Sequence, residues 1–266
     1  RAPGDNAFPA NPSDWVLSGP HLFLANPYNK TPRRSCTEKG HYDTLDLETL
    51  PDAYLPRSNY QPMPDRAEYQ RRVPRVSWVE EGEDAPKPVT DYYRLAMRNL
   101  ISQGAEKGLV PMLSPRGHAH VNAVQSAAFR SSADLLMSGG MLFSLVSDFY
   151  VKSSGRSGLY DAWTMLPHLA YESNFSSRVA TLSVLTSHYA DLWKSAYDLA
   201  FTDQRWSQPD NPRLPQDFFA HLTSDWHRDC ALRTDYARRM ALVEIDVLVA
   251  QALGLALDEL LLIYRV

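Results

Sequence analysis

The sequence has few cysteines and no long apolar run. Cys36 and Cys230 are the only cysteines among 266 residues, and they lie far apart, which excludes the disulfide scaffold of small secreted domains. We expect two reduced thiols in a cytoplasmic protein. No apolar stretch approaches the roughly 20 residues that a membrane-spanning helix needs, so we expect no membrane partner.

An excess of positive charge is also missing. The chain has 27 lysines and arginines against 31 aspartates and glutamates, a net charge of −4. This excludes a uniformly basic nucleic-acid-binding protein and requires any such surface to be local. The 44% of apolar residues are typical of a globular protein. Prolines outnumber glycines by 19 to 12, which favours extended or loop-like segments.

Catalytic signatures are absent from the sequence. It contains no dinucleotide fingerprint, phosphate-binding loop, Gly-x-Ser-x-Gly elbow or paired-cysteine zinc spacing. His118 and His120 alternate after a predicted strand, so two imidazoles could share a metal ion with His188, His221 or His227. No carboxylate stands at a fixed offset to orient this pair. We predict no catalytic and no metal residues, and keep a metal-dependent hydrolase as an alternative.

Hydrophobic periodicity predicts an α+β fold in two parts. Residues 1–170 are predicted to form a mixed α/β domain, and residues 171–266 a mainly helical region. The predicted elements of the first part are a strand, turn and strand over 15–25, a short helix over 65–70, a Thr-capped amphipathic helix over 90–101, a strand over 109–113, an element of undecided type over 121–129, and a helix over 133–153 with Gly139-Gly140 as its weak point.

The second part has long helical patterns. Residues 178–200 and 229–253 each predict one helix, with Gly254 placed to end the second and another helix beginning at Leu257. Arginines on the longer pattern alternate with aspartates and predict a salt-bridged helix surface, namely Arg228, Arg233, Arg238 and Arg239 with Asp225, Asp229 and Asp235.

Basic residues concentrate in several loops. Arginine forks match phosphate oxygens and the O6/N7 edge of guanine, while asparagine and glutamine match adenine. Acidic residues in the same segments also fit an ordinary solvated face. The candidate DNA contacts, chosen by residue type and loop position, are Lys30, Arg33, Arg34, Arg57, Asn59, Gln61, Arg71, Arg72, Arg75, Lys152 and Arg156.

Several segments resemble one family. The run Trp15-Val16-Leu17-Ser18-Gly19-Pro20-His21-Leu22-Phe23-Leu24-Ala25-Asn26-Pro27, followed by Lys30-Thr31-Pro32-Arg33, resembles the opening of a target-recognition domain. The family is the large single-chain N6-adenine DNA methyltransferases of bacterial restriction and phage-defence systems. Residues 141–152 and the following Leu166-Pro167 are similar to a helix, loop and strand of such domains, with Val146-Ser147-Asp148 in place of Leu-Asn-Ser. Residues 191–193, 241–250 and 257–265 resemble its later helical segments.

The resemblance implies a recognition module without its catalytic domain. In the family, the S-adenosylmethionine site and an Asn-Pro-Pro-Tyr loop precede this region. Asn26-Pro27-Tyr28 lacks the second proline of that loop, so we expect no catalytic role for it. The parent protein would flip and methylate an adenine. This fragment would bind no cofactor itself, and its partners would be double-stranded DNA and the catalytic domain of the same chain.

Two further expectations concern the ends of the sequence and an alternative function. The chain begins Arg-Ala-Pro-Gly and ends in an apolar segment, so we expect a fragment of a longer protein. Besides the hydrolase, a protein-interaction module of a defence complex is an alternative function for the aromatic loops and the helices.

Overall fold

The computed structural model describes residues 6–38, 40–101, 104–155, 157–159, 164 and 166–265. It has the predicted mixed α+β fold. In chain order the elements are β1 (Val16–Leu17), β2 (Lys30–Pro32), β3 (Tyr42–Thr44), α1 (Arg66–Arg72), β4 (Arg94–Arg98), β5 (Pro111–Ser114), β6 (Ala119–His120), β7 (Val124–Ala128), α2 (Ser132–Phe143), α3 (Leu145–Ser153), α4 (Ser173–Ser183), α5 (Ala190–Ala196), α6 (Asp235–Ala252) and α7 (Leu257–Ile263).

The strands form small sheets packed on the helices. β4 lies between β5 and β7, antiparallel to both, with Leu95 opposite Leu113 and Ala127. β1 pairs with β6 in parallel, and β2 pairs with β3 as an antiparallel hairpin. α2 packs on β5 and on α4 and α6, so the core extends from the sheet into the helical part.

The helix predicted over 90–101 is wrong, because this segment forms the central strand β4. Leu95, Ala96 and Met97 are all fully buried, so the strand itself has no solvent-facing side. The two arginines of the strand are also directed inward. Arg94 is 2% exposed, and Arg98 donates to the carbonyls of Gly19 and Leu22 at 3.2 and 2.7 Å. Tertiary burial of both strand faces therefore overrides the local pattern.

The helix predicted over 133–153 consists of two helices, and the break is not at the glycines. α2 ends before Ser144, whose hydroxyl accepts the Val146 N–H and caps α3. Gly139 and Gly140 lie inside α2, where it approaches its neighbours. A Cβ at Gly140 would lie 2.5 Å from Phe175 and Val179. The glycines therefore permit close packing, and the serine separates the helices.

The other predicted elements agree with the structure in part. The short helix is confirmed as α1, capped by Asp65, and the strand over 109–113 as β5. Residues 121–129 contain β7. Of residues 15–25, only β1 is a strand, and a 3-10 turn follows at Gly19–His21.

The long helices start or stop at other points than predicted. The pattern over 178–200 divides into α4 and α5, because Val184 leaves the helical region with ψ 49°. α6 begins at Asp235 with Thr234 as its cap, later than predicted, and Gly254, with φ +73°, follows its end as expected.

The predicted salt-bridged surface around Arg228 is mostly wrong, since these arginines bind backbone carbonyls. Arg228 donates to the carbonyls of Leu50 and Glu48, and Arg233 to those of Leu47 and Leu185. Buried Arg238 donates to the carbonyls of Leu182, Leu232 and Ala25. An irregular segment leaves such carbonyls unpaired, and the arginines satisfy them.

The division near residue 170 stays a prediction, and one hydrophobic cluster contains side chains from both sides of it.

Candidate nucleic-acid interface

The β2–β3 hairpin joins two other chain segments in one surface. Asn6 donates through its backbone N–H to the Arg34 carbonyl (2.6 Å) and through its side chain to the Arg33 carbonyl (2.9 Å). Ala7 bridges to Ser58, and the Asn59 amide donates to the Tyr42 hydroxyl. We call residues 6–8, 30–38, 40–44 and 57–60 the hairpin surface. It brings together five predicted DNA contacts: Lys30, Arg33, Arg34, Arg57 and Asn59.

An acidic residue of the hairpin surface neutralises part of its positive charge. Arg33 pairs with Asp43 at 2.8 Å, and both side chains are about half exposed, so this ion pair is weak and open to competition by another anion. Lys30 lies opposite Thr44 at the start of β2. Gln61 follows the surface in the chain and is exposed.

Arg57 is held through its backbone and through its guanidinium group. Its N–H donates to the Thr31 hydroxyl at 3.0 Å, and its carbonyl accepts the Nε2–H of His21 at 2.8 Å. Its guanidinium carbon lies 4.1 Å from the centre of the Phe8 ring. Among the described residues this guanidinium makes no ion pair. Phe8, His21 and Thr31 were not predicted as part of this site, and no local signal links them to Arg57, because each lies in a distant part of the chain.

The predicted contacts around α1 lie on another element and have partners of their own. Arg71 and Arg72 both pair with Glu68. Arg75, just beyond α1, donates to the Pro86 carbonyl at 2.6 Å. These arginines therefore form a separate group and are not part of the hairpin surface.

Lys152 is used within the fold. Its ammonium group donates to the carbonyls of Ala105 and Glu106 at 2.7 and 3.2 Å and lies 3.3 Å from Asp148. These contacts anchor the segment before β5 to α3. Arg156, the other candidate in this region, lies outside the described residues.

The histidines of the hydrolase alternative belong to a buried network around Arg94. His118 and His120 each donate Nδ1–H to a backbone carbonyl. The Nε2 of His118 accepts from Arg94, and that of His120 accepts from Ser126. Burial and the adjacent Arg94 cation lower the pKa of His118 well below its usual value. The Nε2 lone pairs of both histidines thus accept hydrogen bonds close to the Arg94 cation. The described residues include no cluster of three or more metal-ligating side chains. This geometry disfavours a metal site.

Tyr28, in the segment that resembles a base-holding loop, belongs to the core. It is fully buried, stacks on Trp15, and its hydroxyl lies 2.9 Å from that of Thr186. The Asn26 side chain accepts the Tyr28 N–H, which makes a local turn. The ring is therefore unavailable for a nucleobase.

An open cleft of about 390 Å³ lies at the start of α2. Its cations have acidic neighbours: Lys87 pairs with Glu83 at 2.6 Å, and Arg116 with Asp191 at 3.3 Å. Glu80 and Asp91 also line it. With both signs of charge present, the cleft indicates no particular ligand.

Comparison with protein-family models, with curated proteins and with solved structures finds no match for this chain. Over the residues described above, none of the helices combines the length and apolarity required to cross a membrane.

Proposed function

We propose that the chain is the DNA target-recognition part of an adenine-specific DNA methyltransferase of a restriction-modification or phage-defence system. The cytoplasmic parent protein would carry the S-adenosylmethionine-binding catalytic domain elsewhere in its chain. The hairpin surface would contact the duplex beside the target adenine. The observation that carries the proposal is the state of Arg57, whose backbone is anchored on both sides while its guanidinium has no acidic partner among the described residues.

An arginine in this state is available to an acceptor from outside the fold. A guanidinium has five N–H donors in a planar fork, which suits phosphate oxygens and the acceptor edge of a base. Arg33 and Lys30 lie on the same surface, and Asn59 adds an amide beside them. A local group of such side chains serves DNA binding in a chain whose overall charge is negative.

Exposed aromatic residues add to this argument. Phe8 contacts the Arg57 guanidinium and Tyr60 follows Arg57 by three residues in the sequence, and each is about half exposed. Aromatic side chains beside cations are typical of nucleic-acid contacts, because they pack on sugars and bases while the cations bind phosphates.

Fluorescence anisotropy with a labelled duplex tests the proposal. The wild type should bind with an affinity that falls steeply between low and physiological salt. The variant Arg33→Ala/Arg34→Ala should bind more weakly, and its salt slope should be flatter by up to about 2 if both side chains contact phosphates.

A matched control separates a specific surface from general attraction. The variant Arg71→Ala/Arg72→Ala removes the same charge from α1, where Glu68 already pairs with both arginines. It should change the affinity less than the hairpin variant does. Equal effects of both variants, or no binding of the wild type at low salt, would contradict the proposal.

A protein-interaction module remains the second candidate, and one observation favours it. Leu257 and Leu261, one turn apart on α7, are 70% and 46% exposed, and Leu262 is 60% exposed; adjacent exposed apolar side chains are typical of a protein contact. Stable association with another chain, together with no DNA affinity, would favour this function over the first.

A further inference from the structure

We propose that Arg57 is a specificity-determining residue that reads a guanine in the major groove, and that Phe8 is its positioning residue. This inference rests on the proposed DNA-binding function. It adds the identity of the base that is read and the side chain that reads it.

The backbone at Arg57 is fixed by buried side chains. Thr31 and His21, which bind its N–H and its carbonyl, are 5% and 0% exposed. The next residue, Ser58, donates its hydroxyl to the Val16 carbonyl at 2.8 Å. Strand β1 and the segment after it therefore fix the backbone of this loop. The buried residues thus set the direction in which the Arg57 side chain leaves the backbone.

The guanidinium of Arg57 is supported by an aromatic series. It lies over the Phe8 ring, and Phe8 meets Tyr54 edge to face with ring centres 6.0 Å apart. Tyr54 in turn contacts buried Tyr28 at 6.4 Å. A cation over an aromatic face is stabilised electrostatically, so Phe8 restricts the side chain and connects its position to the core.

This restriction favours a base over a phosphate as the ligand. Guanine presents O6 and N7 in one plane, and a planar arginine fork held in advance can bind both with little loss of conformational entropy. Phosphate contacts need less exact placement, and Lys30 and Arg33 on the same surface can make them. Arg57, whose guanidinium lies over an aromatic ring and not against a carboxylate, is therefore the residue suited to reading sequence, while the cations around it provide general attraction.

The test is selection from a randomised duplex library, followed by anisotropy on the selected duplex and on duplexes with single base changes. The wild type should prefer guanine at one position by about 10-fold or more. Arg57→Ala should lose that preference with little change in the salt slope. Arg57→Lys retains the charge but not the fork, so it should bind DNA without the guanine preference.

Phe8 is tested separately because a positioning residue acts through Arg57. Phe8→Leu keeps an apolar side chain but removes the ring face, and it should weaken the guanine preference several-fold. Phe8→Tyr should restore the preference. If Phe8 only supported the fold, the guanine preference would change together with the melting temperature. A preference that falls and recovers at unchanged melting temperature therefore identifies a positioning role.

The outcomes distinguish this inference from the function on which it rests. A wild type that binds no duplex overturns the proposed function. A wild type that binds DNA without preferring guanine overturns the reading by Arg57 and leaves the function standing. If Arg57→Ala binds all duplexes more weakly by the same factor and its salt slope falls by about 1, Arg57 contacts a phosphate and the inference is wrong.

Discussion

We expect the buried imidazole of His21 to make the stability of the protein dependent on pH. The imidazole is fully buried, its Nδ1 accepts the Ser18 N–H at 3.0 Å, and its Nε2–H donates to the Arg57 carbonyl. Both nitrogens are thus satisfied in the neutral ring, and a second proton on Nδ1 would face a donor. Burial lowers the pKa of His21 from 6.5 to about 4. Below pH 6.5 the unfolded chain therefore binds a proton that the folded protein does not.

The expected loss can be worked out from the two pKa values. Stability from His21 is complete above the unfolded-state pKa and falls as the pH drops toward the folded-state pKa. Linkage gives a decrease of about 2 kcal/mol in the free energy of unfolding between pH 7 and pH 5, and about 3 kcal/mol in total at still lower pH. His118 and His120, whose pKa values burial also lowers, change stability in the same direction.

Urea unfolding at pH 7 and pH 5 measures this effect, with His21→Gln as the comparison. Glutamine retains an acceptor and an N–H donor but does not titrate in this range. The variant will start from a lower stability at pH 7, and its loss between the two pH values should be smaller than that of the wild type by about 2 kcal/mol. Equal losses in both proteins would refute the assignment of His21 as a buried neutral imidazole.

Two further predictions concern packing and a buried ion pair. Gly140→Ala should lower the free energy of unfolding by about 1–3 kcal/mol, because its Cβ would lie 2.5 Å from Phe175 and Val179; an unchanged denaturation midpoint would argue against this close approach. Glu244→Leu should cost about 3–5 kcal/mol, since buried Arg178 donates to Glu244 at 2.5 Å. In the same urea experiment, adding Arg178→Met should recover part of the loss, and no recovery would show that the charge left behind is not the cause.

The arginines show why charge in a sequence does not reveal its use. Arg238 and Arg94 are buried and bind carbonyls or neutral side chains, Arg72 is neutralised on α1, and Arg57 stands on an aromatic ring. All four have a tyrosine within three residues in the sequence. Only the positions of distant carbonyls, acids and rings separate them. Residue type and loop position selected candidate contacts of which several lie on the hairpin surface. They could not show which of these side chains are already paired within the fold.

The elements that the sequence predicted correctly depend on neighbouring residues. Asp65 caps α1 through a bond to a residue three positions later, the apolar run of β5 lies between breakers, and Gly254 ends α6 because it alone tolerates the left-handed conformation there at little cost. The overall α+β class follows from the same local preferences. Such signals are complete within a few residues, so no partner from elsewhere in the chain is needed to read them.

Tertiary structure decided the features that depend on distant contacts. β4 is a strand because β5 and β7 pair with it and bury both its faces, although its own pattern favours a helix. α2 can carry two adjacent glycines because Leu113 and Phe175 fill the space beside them. The hairpin surface exists because Asn6, Arg33 and Ser58 meet across long chain separations. Local propensities differ by less than the free energy that burial contributes, and burial is set by the whole chain.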